Sequence, residues 1–158
     1  MKRTIKSESG RSMVEMLGVL AIIGVLSIGG IAGYTMAMNR YRANEVIDMA
    51  NKMASIVFAQ DQTSQARTGA QLTADQLGDL TPTSLGLVTV NPRLANADAG
   101  GLSGGGTVVA TAVSQDGVTM TLGFPTAGVC QAAENIISQN GIVCGEGTQL
   151  VGVVIRQS

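Results

Sequence analysis

Gly10-Arg11-Ser12-Met13-Val14-Glu15, followed at once by an uncharged apolar run from residue 16 to residue 38, is the stretch that decides how this chain is read. The run covers about 23 residues, and roughly 20 suffice for a helix to cross the hydrocarbon core of a bilayer. Glu15 stands at its entrance. An ionisable group at such a place is expensive to keep and is read as functional by default. Five residues upstream stands Gly10, and within the first forty residues no other glycine has a glutamate five places on. The first ten residues are short and polar, with Lys2, Arg3 and Lys6 set against Glu8.

Glycine, the fifth-position glutamate and the apolar run together resemble the N-terminus of the type IV pilin (prepilin) family, over about the first 35 residues. The resemblance implies that a prepilin peptidase removes residues 1–10 by cutting between Gly10 and Arg11. It implies N-methylation of the new α-amine and a docking role for Glu15. Gly24 matches the glycine that often marks the flexible part of the family's helix. Two positions depart from the pattern. Arg11 stands where the first mature residue is usually apolar, and Ala32 stands where many members carry a mid-helix proline.

Three other readings compete. A secretory signal peptide has an apolar region of about 7–15 residues followed by a small-x-small cleavage site, whereas this run is longer and is interrupted at its start by Glu15. A plain single-pass anchor would leave Gly10 and Glu15 without a role. A buried core helix is disfavoured because the run is apolar all round and far exceeds the usual length of about 11–12 residues.

The whole chain has 158 residues, with ten basic and eleven acidic side chains and no histidine. Losing residues 1–10 would remove three basic and one acidic side chain, leaving a net charge of −3. No basic patch is visible and aromatics are scarce, which argues against nucleic acid as a main partner. Charge does not fix the topology of the span, because Lys2, Arg3, Lys6 and Arg11 precede it while Arg40, Arg42 and Lys52 follow. The cysteines add to the case. Cys130 and Cys144 form an even, minimal pair that fits one disulfide in an exported domain. Two buried free thiols are the alternative. The pilin family often closes a C-terminal loop in this way, so the resemblance implies that pairing. With no histidine and no CxxC, neither a metal site nor a cofactor site is expected.

Past the run, Val46, Met49, Ala50, Met53, Ile56 and Val57 recur at helical steps, the stripe of an amphipathic helix. No Pro or Gly lies between Tyr34 and Arg67, so one helix is expected from about residue 12 to about residue 65. At 1.5 Å per residue it would reach roughly 80 Å, more than a domain of residues 39–158 can house. Its first half is therefore expected to lie in lipid or among other subunits. Gly24, Gly29 and Gly33 are the candidate helix-packing positions, Gly29 and Gly33 forming a GxxxG pair.

Thr73 with Gln76 reads as a capping box for a short helix ended near Pro82. A short β-like run follows at 87–90, and the Gly-rich stretch 100–106 reads as a loop without the Lys-Ser/Thr ending of a phosphate-binding loop. Residues 107–114 and 118–124 flank Asp116-Gly117 as a hairpin, residues 131–139 read as a helix between the cysteines, and 151–156 as a last strand. The expected fold class is α+β: a long N-terminal helix, membrane-spanning in its first half, packed on a small antiparallel sheet with a C-terminal disulfide loop. Together these elements resemble the pilin αβ-roll, and the late cysteine-bearing helix looks more like that of the type IVb branch. The expected organisation is a leader at 1–10, an assembly helix at 11–38 and a head domain at 39–158.

The acidic residues Asp61, Asp75, Asp79, Asp98, Asp116, Glu134 and Glu146 are scattered, and no nucleophile-plus-base spacing appears, so catalysis is not expected. The resemblance implies a structural subunit of a surface filament used in adhesion, motility, conjugation or DNA uptake. Its partners would be copies of itself, the prepilin peptidase, the pilus assembly machinery and, before assembly, the inner membrane. A pseudopilin of a type II secretion apparatus shares the N-terminus; a non-polymerising membrane-anchored binding module is the other alternative.

Overall fold

The computed structural model describes residues 13–87, 105–145 and 148–156. Gly10 and Arg11, the expected strand residues 88–90, residues 100–104 of the Gly-rich loop and Glu146 lie outside them. The described elements are α1 (Met13–Thr68), α2 (Ala74–Gly78), β1 (Thr107–Ser114), β2 (Gly117–Gly123), α3 (Ala127–Ile137) and β3 (Gln149–Ile155). The chain divides into two units, Met1–Ala37 and Met38–Ser158.

Helix α1 is continuous over 56 residues, in line with the absence of proline along it. Its part in the first unit is long and apolar enough to cross a membrane, by length and composition, and its most apolar window buries nothing. Two aliphatic hydroxyls occur there, Ser27 and Thr35, and the helix satisfies both itself. Ser27 Oγ donates to the Ile23 carbonyl (2.7 Å) and Thr35 Oγ1 to the Ala32 carbonyl (2.9 Å). A polar group bonded to its own helix can enter hydrocarbon without leaving a donor unpaired.

In the second unit, α1 buries Ala43, Val46, Ala50, Met53, Ala54, Val57 and Asp61. The stripe expected from helical spacing is there, with Met49 and Ile56 only half-buried and Ala43 and Ala54 taking their places at its centre. This stripe joins one core with the inner face of a three-stranded sheet ordered β1-β2-β3. Both pairings are antiparallel. Val108, Ala110, Val118, Met120, Leu122, Leu150 and Val153 supply the inner face, and Leu77, Phe124, Val129, Cys130 and Ala133 close it. The α+β class and the arrangement of long helix, small antiparallel sheet and late disulfide are as the sequence leads one to expect.

Local chemistry explains where the boundaries shift. The hairpin loop is Gln115-Asp116, and Gly117 opens β2 opposite Ser114 rather than sitting in the turn. Gly117 has φ 148°, and a Cβ there would run into the Ile155 carbonyl, so the neighbouring strand's backbone requires glycine. Helix α3 starts at Ala127, not at 131, because Thr126 is its N-cap and accepts the Val129 N–H (3.4 Å). Cys130 is therefore on the helix instead of before it. The helix ends at Ile137, where Ser138 takes a left-handed conformation (φ 48°) and leaves Gln139 outside. Strand β3 begins at Gln149, two residues earlier than its hydrophobic pattern implies. The capping box at Thr73 and Gln76 forms as written, each side chain bonding the other's backbone N–H.

Candidate assembly helix and disulfide loop

Glu15 lies in the first turn of α1, among exposed apolar neighbours such as Val14 and Met16. A carboxylate there is favoured by the helix dipole, which by itself helps to start the helix. No partner for its side chain stands among the described residues.

Gly24, Gly29 and Gly33 share an open setting. Outside the helix's own backbone, no described atom lies within 4 Å of where a Cβ would stand on any of them. Nothing within the described chain therefore uses their small size. Each glycine costs the helix roughly 1 kcal/mol relative to alanine. Gly29 and Gly33, four residues apart, fall on one face, the spacing that lets a second helix approach closely.

The disulfide joins Cys130 on α3 to Cys144 across 14 residues, with the Cα atoms 6.0 Å apart. That separation lies within the range a bridge spans without moving the backbone. Cys130 is fully buried in the core, whereas Asn140, Gly141 and Val143 in the loop are exposed. Two further ties shape the loop. Glu134, one turn beyond Cys130 on α3, accepts the Cys144 N–H at Oε2 (3.1 Å). Gln139 then pairs its side-chain amide with both backbone groups of Val154. Its Nε2 donates to the Val154 carbonyl (2.8 Å), and its Oε1 accepts the Val154 N–H (3.1 Å). The Gly145 N–H also donates to the Gln149 carbonyl (3.2 Å). By these bonds the loop runs along β3, an outer strand of the sheet, and occupies backbone groups that would otherwise offer an edge for pairing.

Asp61 is the one buried charged side chain among the described residues, only 2 % exposed. Its Oδ1 accepts the Leu72 N–H (2.9 Å) and its Oδ2 accepts from Gln65 Nε2 (2.6 Å). It ties the segment after α1 back onto the helix. Its place was readable, because the apolar stripe 50, 53, 54, 57 steps next to 61. Gln139 carried no such signal, since its partner lies 15 residues on and depends on the register of β3. The described residues hold no group of three His, Cys, Asp or Glu side chains able to share a metal ion.

Comparison with protein-family models, with curated proteins and with solved structures finds no match to this chain. By its own architecture it is an α+β protein with an exposed apolar N-terminal helical segment and a disulfide-closed C-terminal loop.

Proposed function

We propose that this chain is a structural subunit of a type IV pilus filament, cut by a prepilin peptidase between Gly10 and Arg11 and polymerised through α1. The observation that carries the proposal is the first half of α1. Its apolar side chains are exposed, its glycines face open space, and a lone carboxylate stands in its first turn. Such a surface needs lipid or other subunits around it.

In the inner membrane the apolar helix is already at ease, because lipid tails are as apolar as its side chains, so hydrophobicity does not drive association there. Glu15 supplies the bias. Cleavage would create a positively charged α-amine at Arg11, kept charged after N-methylation. Two unit charges about 4 Å apart attract by roughly 4 kcal/mol at an effective dielectric of about 20, before the cost of desolvating them is deducted. An incoming subunit whose Glu15 meets the amine of its neighbour would lose the cost of an unpaired carboxylate. Gly29 and Gly33 would let the helices close up, and the globular units would form the cell-surface exterior.

The test is to shear cells, inspect the released material by electron microscopy and determine this subunit's N-terminus by mass spectrometry. Filaments built of a chain starting at Arg11 are expected. The Glu15→Ala variant should be made and cleaved normally yet yield far fewer filaments. Normal filament abundance in that variant would refute the role of Glu15, and an uncleaved chain would refute the whole reading.

A further inference from the structure

Within the disulfide loop, residues 139–142 form a reverse turn in which the Ile142 N–H donates to the Gln139 carbonyl (3.3 Å). Asn140 and Gly141 hold its two central positions, and both are exposed. Gly141 has φ 83°, the left-handed value required of the third residue of a type II turn. Asn140 is also the one asparagine in the chain that is followed by glycine.

We propose that Asn140–Gly141 is a site of spontaneous covalent modification, deamidation through a succinimide. The Gly141 backbone nitrogen gives its proton to hydroxide and attacks Cγ of Asn140. A new C–N bond closes a five-membered ring, the Cγ–Nδ2 bond breaks, and the amide leaves as ammonia after taking a proton from water. A second water then opens the ring. Opening at one carbonyl gives aspartate; opening at the other gives isoaspartate, in which the backbone runs through the former side chain.

Three features favour this position. Ring closure is intramolecular, so its rate depends on how freely the nucleophile reaches the carbon, and glycine presents no Cβ to obstruct it. The Gly141 N–H makes no hydrogen bond among the described residues, so its proton is not held. Solvent hydroxide and water reach the turn, because both residues are exposed. Asn44, Asn51 and Asn135 are different. Each is followed by a residue inside α1 or α3, whose backbone N–H is engaged in the helical ladder.

The product changes the loop in two ways. Residues 135–145 carry no charged side chain, so either product gives this stretch its first negative charge. Isoaspartate also lengthens the backbone by one carbon immediately beside Gln139, whose amide holds Val154. The modified loop should therefore hold β3 less firmly. The site stands whether or not the chain polymerises.

The experiment uses the full chain in detergent, with its disulfide intact, held at mildly alkaline pH and sampled over time. Each sample is digested and sequenced by tandem mass spectrometry that separates aspartate from isoaspartate. Asn140 should convert roughly tenfold or more faster than Asn44, Asn51 and Asn135, giving both products. Isoelectric focusing should show a growing acidic band that Asn140→Gln removes, and Val154 N–H exchange should quicken in the isoaspartate form. A reduced, unfolded sample is followed in parallel. Conversion of Asn140 there but not in the folded chain would overturn the proposal, because the turn would then protect the site. Conversion in the folded chain no faster than at Asn135 would overturn it as well.

Discussion

Replacing Asp61 by alanine isolates the contribution of a buried carboxylate that ties α1 to the segment behind it. Two hydrogen bonds disappear, but they are unequal. Gln65 is exposed, so its amide turns to water and the loss is about 0.5 kcal/mol or less. The Leu72 N–H is in a half-buried position, and orphaning such a donor costs about 1–3 kcal/mol. The sum is about 2 kcal/mol, which raises the unfolded population roughly 30-fold. Asp61→Asn keeps an acceptor for Leu72, and the Gln65 amide can flip to accept from the new side chain. It should cost about 1 kcal/mol or less, the difference being the weaker bond to an uncharged oxygen. Hydrogen exchange by mass spectrometry on the full chain in detergent reads both levels. Amides of β2, in the centre of the sheet, report global opening, and the Leu72 amide reports the local tether. The reasoning fails if Asp61→Ala leaves β2 exchange within about twofold of wild type, or if Asp61→Asn is as damaging as Asp61→Ala.

Other consequences follow from the loop and the sheet. Removing the bridge with Cys130→Ala and Cys144→Ala together should cost about 3 kcal/mol on the chain-entropy account, read as faster β2 exchange, whereas reduction of the wild-type chain should reproduce most of the loss. Gln139→Ala frees both backbone groups of Val154 and should cost about 1–2 kcal/mol, concentrated in Val154 exchange and accompanied by greater self-association through β3. Gly117→Ala drives a Cβ into the Ile155 carbonyl and should cost about 3 kcal/mol or more, with loss of the β2–β3 pairing near Val118 and Ile155 visible as local exchange.

Local rules predicted local structure well. The extent of α1, the Thr73–Gln76 cap and the two hairpin strands each depend on neighbours within a few residues, and each was legible. At Cys130 the sequence expectation and the structure differ, because the helix begins three residues before the cysteine. A helix that starts after the cysteine leaves out Thr126, whose side chain caps the first turn. The contacts that shape the loop were not legible. Gln139 finds Val154 only because β3 pairs with β2 in one register, and a register is a tertiary choice that no local pattern fixes. Asp61 lies between these cases. A charge on the apolar stripe is visible in sequence, but its partner at Leu72 becomes known only when the chain turns back.

The two parts of α1 obey different constraints, and this bears on the proposed filament. Over residues 43–61 the buried positions form one stripe, and each apolar member of it belongs to the core that the chain builds with its own sheet, α2 and α3. Over residues 13–37 no stripe exists, because the apolar side chains surround the helix and remain exposed. A helix meant only to sit in lipid gains nothing from five glycines, each of which weakens it by about 1 kcal/mol relative to alanine. Glu15 helps the helix to start, but its charge at the entrance of the span opposes insertion into the membrane. Both features weaken residence in a membrane, and both become useful when another copy of the helix arrives to fill the glycine face and pair the charge. On the filament proposal, then, alanine at Gly29 and Gly33 should make the isolated helix more stable in micelles while making polymerisation worse. A lone anchor would gain from the first effect and show no trace of the second.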